Sequence, residues 1–122
     1  MSDRHVLVVE DDRDLSNIYS IILKHAGYDV QTAFNGQEAL ESVSKNKPDL
    51  ILLDIFMPVM DGKTFLQKFD VPNRPGTSVV VCSNTSDAEL LDDMLNLGAD
   101  KVVTKSTLEP SDLEALVAPY FT

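Results

Sequence analysis

The stretch "HVLVVEDDRD" (5–14) joins a run of four apolar residues, Val6 to Val9, directly to a cluster of four acidic residues. Continuous apolar runs of this kind are typical of parallel strands that are covered on both faces. Two unit charges about 4 Å apart repel each other by roughly 4 kcal/mol at an effective dielectric near 20. Carboxylates at the end of a buried strand must therefore stay in water, take up protons or share a cation.

Five short apolar runs alternate with helical patterns along the chain, which predicts βαβ units and a parallel sheet. The predicted strands cover residues 5–9, 29–33, 49–54, 78–83 and 101–104. The first helix is predicted to end at Gly27, the second to begin at Asn35-Gly36 and the third to cover 63–69, followed by a loop over 70–77. The sequences "SDAE" (86–89) and "SDLE" (111–114) predict Ser86 and Ser111 as the N-caps of helices four and five. We predict a single α/β domain over residues 1–122.

Composition and charge restrict the classes of function. A chain of 122 residues can build one core, and its net charge of −10 argues against direct nucleic-acid binding while it fits cationic partners or a metal ion. The single cysteine, Cys82, cannot form an internal disulfide, lies in an apolar run and favours a reducing compartment. No apolar run approaches the length of a membrane span, and the first residues lack a secretory signal. These features predict a cytoplasmic protein without a membrane association.

Polar residues follow the predicted strands at one edge of the sheet, where ligands bind in open parallel sheets. They are Glu10 and Asp11 after strand one, Asp54 after strand three, Ser83 after strand four and Lys105 after strand five. Carboxylate oxygens with room for water suit Mg²⁺, and a lysine at this edge would be a fixed counter-charge. Asp12 and Asp14 instead suit the N-terminus of the first helix.

The order of these residues is similar to that of the receiver domains of two-component response regulators, in particular the chemotaxis-regulator-like ones. The acidic pair in "VVEDD", the aspartate in "LLDIFMPVMDG" (52–62), a Ser closing strand four and a Lys closing strand five carry the resemblance, which covers the whole chain. The resemblance implies a flavodoxin-like, doubly wound (βα)5 fold with strand order 2-1-3-4-5.

The resemblance also implies a role for each matching residue. Asp54 would accept the phosphoryl group from a phosphohistidine of a sensor histidine kinase or phosphotransfer protein. Mg²⁺ would be held by Asp11, Asp54 and the backbone carbonyl of Phe56, with Glu10 acting mostly through water. Lys105 and Ser83 would contact the phosphoryl oxygens. Such a protein is a phosphorylation-controlled switch that catalyses only its own phosphorylation and slow dephosphorylation.

The output of the switch is expected on the face formed by helix four, strand five and helix five, which would contact a downstream target or an output domain. Phosphorylation is expected to draw Ser83 and the loop "NTSD" (84–87) toward the site. Five apolar residues predict that helix four is well buried, with an exposed docking patch as the alternative: Leu90, Leu91, Met94, Leu95 and Leu97. A homodimer is left open.

Three features depart from the family pattern. Ser106 follows Lys105 where the family usually has proline, and Val102 occupies the place of an aromatic switch residue. Phe56 and Thr85 occupy positions that in the family tune the phosphoryl lifetime. Because Phe56 offers no hydrogen bond to an attacking water, we expect slow self-dephosphorylation.

Three alternatives compete with this interpretation. A phosphatase of the haloacid dehalogenase type would need an acid two residues after Asp54, where Phe56 stands. An FMN carrier would need a Ser-, Thr- and Gly-rich loop after strand one, and "EDDRD" would repel its phosphate. A phosphorylation-independent, receiver-like docking module is the strongest rival. The kinase, the pathway, the target and the completeness of the chain are left open.

Overall fold

A computed structural model describes residues 4–121, which contain a five-stranded parallel sheet in the order β2-β1-β3-β4-β5. The strands are β1 (His5–Val9), β2 (Asp29–Ala33), β3 (Leu50–Leu53), β4 (Ser78–Ser83) and β5 (Lys101–Thr104). The helices are α1 (Arg13–His25), α2 (Gly36–Lys45), α3 (Gly62–Phe69), α4 (Ala88–Asn96) and α5 (Leu113–Val117). This is the predicted flavodoxin-like fold with the predicted strand order. The predicted domain boundaries include Met1–Asp3 and Thr122, which lie outside the described residues.

Two apolar cores cover the two faces of the sheet, because successive strand residues point to opposite faces. Leu7 and Val9 of β1 pack in one core with residues of α2, α3 and α4, among them Phe65 and Met94. Val6 and Val8 pack in the other core with residues of α1 and α5. The central strands are buried on both sides, which explains why they are nearly continuous in Val, Ile and Leu.

The start of helix α4 differs from the prediction. Its N-cap is Asp87, whose carboxylate accepts a hydrogen bond from the Leu90 amide at 3.1 Å, and Ser86 lies outside the helix. A carboxylate is a stronger acceptor than a hydroxyl for the free amides of a helix N-terminus. The capping-box prediction at Ser86 is therefore wrong by one residue, although the helix itself is where it was expected.

The start of helix α5 also differs. A turn of 3₁₀ helix, Pro110–Asp112, precedes α5, and the Glu109 amide donates to the Asp112 carboxylate at 3.0 Å. This reciprocal cap occupies the residues that were expected to begin α5, so Ser111 is not its N-cap and the helix begins only at Leu113. A second 3₁₀ turn, Val71–Asn73, lies inside the predicted loop 70–77.

Helix α4 is only partly buried, which is less than the main prediction had it, because one side alone packs on the core. Met94 is fully buried, and Leu90, Leu91 and Leu97 pack partly buried against the core. Leu95 is 45% exposed. Among residues 4–121, no helix is long and apolar enough to cross a membrane.

Candidate functional site

The site begins where strand pairing continues one residue beyond β1 and β3. The amide of Glu10 donates to the carbonyl of Ala33 at 3.0 Å, and the amide of Asp54 donates to the carbonyl of Val9 at 3.0 Å. These bonds keep the backbone of both acidic residues in the sheet. Both residues are buried, with Glu10 3% and Asp54 7% exposed.

Lys105 provides the cation that these buried carboxylates need. It follows β5 and begins the 3₁₀ turn Lys105–Thr107. Its Nζ lies 3.2 Å from Oδ2 of Asp54 and also forms an ion pair with Oε1 of Glu10. One ammonium group thus bridges two acidic residues, which is the counter-charge expected at this edge.

Three carboxylates come together beside the lysine. Oxygens of Glu10, Asp11 and Asp54 lie within 4.8 Å of one another, and Asp11 is exposed while the other two are buried. The second oxygen of Glu10 accepts from the Asp12 amide at 3.1 Å, and Oδ1 of Asp54 accepts from the Ile55 amide at 2.8 Å. This set of hard oxygen donors, open to solvent through Asp11, fits a divalent cation such as Mg²⁺. The Phe56 carbonyl as a further ligand stays a prediction.

Burial controls the ionisation of the site. It raises the pKa of Glu10 to about 7, against the opposing hydrogen bonds from Lys105 and the Asp12 amide. Burial also raises the pKa of Asp54, although the charge of Lys105 opposes the change. For Lys105, burial lowers the pKa, but the hydrogen bond to Glu10 and the charge of Asp54 outweigh it and raise the pKa overall. Near neutral pH the lysine is charged, and a proton on Glu10 competes with any cation bound there.

A cavity opens beside Asp54 on the side of β4 and β5. It measures about 390 Å³ and is lined by Asp54, Phe56, Ser83, Asn84, Thr85 and Lys105. Ser83 ends β4, is buried, and accepts from the Thr85 amide at 3.4 Å. Phe56 is 58% exposed. The candidate acceptor, the hydroxyl and the lysine therefore border one space, with room for a phosphoryl-sized group.

Two residues of the motif that follows Asp54, Asp61 and Gly62, have structural roles. Asp61 caps α3 by accepting from the Thr64 amide at 2.8 Å. A Cβ atom on Gly62 would lie 2.2 Å from the carbonyl oxygen of Asp54, so only glycine fits there. The amide of Gly62 also donates to the Ile55 carbonyl at 2.7 Å. These contacts hold the segment that follows Asp54.

Asn84 was missed as a site residue by the sequence analysis. It lines the cavity, and its side-chain oxygen accepts a hydrogen bond from the Ser106 amide. Two features of the sequence could have indicated Asn84. It directly follows Ser83, and residue 106 is a serine, which unlike proline has a backbone N–H that can donate a hydrogen bond. Cys82, by contrast, is buried as expected, and burial raises the pKa of its thiol to about 12, so the thiol is neutral.

The doubly wound sheet and its lysine-bridged acidic edge are those of a CheY-like receiver. The chain belongs to the response regulator receiver domain family, whose sequence profile matches residues 6–118. It is therefore a receiver domain of two-component signalling, a class that accepts phosphoryl groups from histidine kinases or phosphotransfer proteins and is distinct from classical enzymes.

Individual relatives agree with this assignment. The probable transcriptional regulator ycf27 of Cyanidium caldarium is 36% identical over 115 residues, which are 93% of this chain and 44% of that protein. The chain thus spans less than half of this relative. A CheY-like receiver domain from Methanospirillum hungatei JF-1 is 30% identical with a TM-score of 0.88, covering 97% of this chain and 93% of the other. The chemotaxis protein CheY4 of Vibrio cholerae is 27% identical with a TM-score of 0.87, covering 98% and 100%.

Proposed function

We propose that Asp54 is the phosphoacceptor of a Mg²⁺-dependent switch, that a sensor histidine kinase or phosphotransfer protein is its donor, and that residues 1–122 act as one receiver domain in the cytoplasm. The observation that carries the proposal is the bridge from Lys105 to both Glu10 and Asp54, beside the cavity that Asp54, Ser83 and Lys105 line. The family defines the phosphodonor and the downstream target of this protein only by class.

In the proposed reaction, a carboxylate oxygen of Asp54 attacks the phosphorus of a phosphohistidine. A P–O bond forms, the P–N bond breaks, and the histidine nitrogen leaves with the electron pair of that bond. Phosphoryl transfer asks the protein mainly for an aligned nucleophile and for stabilisation of the phosphoryl oxygens. Lys105 can neutralise one of these oxygens, and the Ser83 hydroxyl can donate a hydrogen bond to another.

Glu10, Asp11, Asp54 and the backbone carbonyl of Phe56 are the groups that would hold Mg²⁺. When bound, the ion neutralises negative charge on the phosphoryl oxygens. Glu10 must release its proton to serve such a cation, and its raised pKa of about 7 places this release near neutral pH.

The proposed output runs from Ser83 through residues 84–87 to the face of α4, β5 and α5. A new dianionic phosphoryl group attracts the Ser83 hydroxyl. The equilibrium between the resting arrangement of residues 83–87 and the arrangement drawn toward the site shifts only by the difference in the phosphoryl group's affinity for the two. Val102 is partly buried in β5 and cannot report the change as an aromatic rotamer would. We therefore place the contact with a downstream protein, an output domain or a second copy on this face, through its backbone and α4.

Two rivals lose support at the site. Phe56, an exposed apolar residue, stands where a phosphatase of the haloacid dehalogenase type would need its acid. Asp12 caps α1 in a loop of acidic residues that would repel the phosphate of FMN. A docking module that needs no phosphorylation stays the second candidate, because Ser106 and Val102 depart from the family pattern.

The test is intact mass after incubation with acetyl phosphate, with and without Mg²⁺. We expect a Mg²⁺-dependent gain of one phosphoryl group in the wild type and no gain in Asp54→Asn. Asp92→Asn, which changes an exposed carboxylate of α4, is the matched control and should gain the group. No gain by folded wild-type protein under any condition would favour the docking module instead.

A further inference from the structure

A hydrogen bond joins the ends of strands β4 and β5 across the site. The amide N–H of Ser106 donates to Oδ1 of Asn84 at 2.5 Å. Asn84 directly follows Ser83, the last residue of β4, and Ser106 directly follows Lys105. The contact therefore connects the backbone segments that carry the hydroxyl and the ammonium group of the proposed site.

This bond depends on a residue other than proline at position 106, because proline has no backbone N–H. Residues Lys105–Thr107 form a single 3₁₀ turn, and the first amides of such a turn have no partner within it. The Asn84 side chain satisfies one of them. The turn is otherwise closed by the amide of Leu108 on the Lys105 carbonyl and by the hydroxyl of Thr107 on the Thr104 carbonyl.

The position of the lysine headgroup depends on both ends of a long, flexible side chain. Glu10 and Asp54 hold the Nζ end, and both also belong to the proposed metal site. Asn84 holds the backbone end, one residue beyond Lys105. Loss of this second restraint would let the turn drift while the carboxylates compete for the ammonium group.

We infer that Asn84 is a positioning residue for Lys105, acting through the Ser106 amide. The inference rests on the proposed function, because positioning matters for phosphoryl transfer only if Lys105 stabilises the transferred group. In this chain the hydrogen bond restrains the backbone at position 106, directly after Lys105.

The kinetic test measures the rate constant of phosphorylation at saturating acetyl phosphate and Mg²⁺. We expect Asn84→Ala and Ser106→Pro each to lower it about three- to tenfold, the range for loss of one hydrogen bond. Ser106→Ala keeps the amide N–H and should stay within about twofold of wild type on the same reasoning. The double variant Asn84→Ala/Ser106→Pro should be no slower than its slower parent, because both changes remove the same contact.

The affinity for Mg²⁺, measured by calorimetry without phosphodonor, distinguishes a specific effect on Lys105 from a general loosening of the site. Lys105 competes with the cation for Glu10 and Asp54, so Asn84→Ala should bind Mg²⁺ as tightly as wild type or more tightly while it is phosphorylated more slowly. General loosening of the site would weaken both. Thermal melts followed by circular dichroism confirm that each variant is folded.

A direct test uses amide hydrogen exchange and the NMR shifts of the Lys105 side-chain methylenes. The amide at position 106 should be protected in wild type and in Ser106→Ala, and should exchange faster in Asn84→Ala, with the Lys105 shifts changing in parallel. The inference is overturned if that amide exchanges equally fast in wild type and Asn84→Ala, or if Ser106→Ala is slowed as much as Ser106→Pro. If wild type gains no phosphoryl group, the proposed function fails, and exchange and Lys105 shifts alone decide the inference.

Discussion

Nζ of Lys105 lies 3.2 Å from Oδ2 of Asp54, although β3 and β5, the strands that directly precede the two residues, are not neighbours in the sheet. Strand β4 lies between β3 and β5, and Ser83 ends it. The long lysine side chain therefore reaches past the end of β4 to the carboxylate. Asp54, Ser83 and Lys105 border the same cavity as a result.

The stability of the metal-free protein should fall as the pH rises from about 5 to 7.5. Burial raises the pKa of Glu10 from 4.5 to about 7, so between these values the folded state binds more protons than the unfolded state. The stabilisation is complete below the unfolded pKa and is lost as the pH rises through the folded one. Thermal melts in EDTA at several pH values measure it.

The variant Glu10→Gln should flatten this pH dependence, because it removes the titrating group. Added Mg²⁺ should raise the melting temperature of wild type more at pH 7.5 than at pH 5, where protons occupy the carboxylates. A melting temperature that rises steadily from pH 5 to 7.5 in EDTA would contradict the assignment of Glu10.

Replacing Lys105 with Met should destabilise the metal-free protein at pH 7.5 by about 1–3 kcal/mol, because Glu10 and Asp54 would then be buried without their cation. Mg²⁺ or a lower pH should restore part of this loss, since either one neutralises the carboxylates. Urea unfolding with and without Mg²⁺, at pH 7.5 and at the lower pH, measures the free energy of unfolding of the variant and of the wild type. Lys101→Met changes an exposed lysine at the start of β5 and should have little effect.

Val59→Gly should stabilise the protein by about 1 kcal/mol. Val59 has a positive φ of 68° and is 83% exposed, and the amide of Met60 donates to the Pro58 carbonyl at 2.7 Å, which closes a γ-turn around it. This conformation costs an L-residue roughly 1–2 kcal/mol and a β-branched one especially, which outweighs the extra chain entropy of glycine. Val30→Gly, in a strand of ordinary extended backbone, should be destabilising instead. Urea unfolding of both variants decides; an unchanged or lower stability of Val59→Gly would remove the case for strain.

The acyl phosphate of the wild type should be long-lived, and Phe56→Asn should shorten its half-life about three- to tenfold by offering a hydrogen bond to an attacking water. Phe56 borders the cavity beside Asp54 and presents only carbon atoms from its side chain. Intact mass followed over time after removal of the phosphodonor measures the half-life. A wild-type half-life of seconds in excess Mg²⁺ would contradict the expectation.

The amino-acid sequence was sufficient for the sheet and for most of the site. Apolar runs followed by polar residues locate β1, β3, β4 and β5, and parallel strands bring their carboxyl ends to one edge, so Glu10, Asp54 and Lys105 were expected together. The third helix was also predicted correctly within one residue, and Phe65 lies fully buried on its inner face. These features depend on hydrophobic periodicity, which acts along the chain.

The starts of α4 and α5 and the link between Asn84 and Ser106 were decided only by the tertiary structure. Ser86 and Asp87 are both good caps by residue type, and the path of the loop determines which oxygen meets the free amides. Asn84 and Ser106 are 22 residues apart, and their hydrogen bond exists because β4 and β5 pair in a particular register. Local propensity determines which residues can form a strand or accept a bond. Only packing determines which distant partner lies within reach.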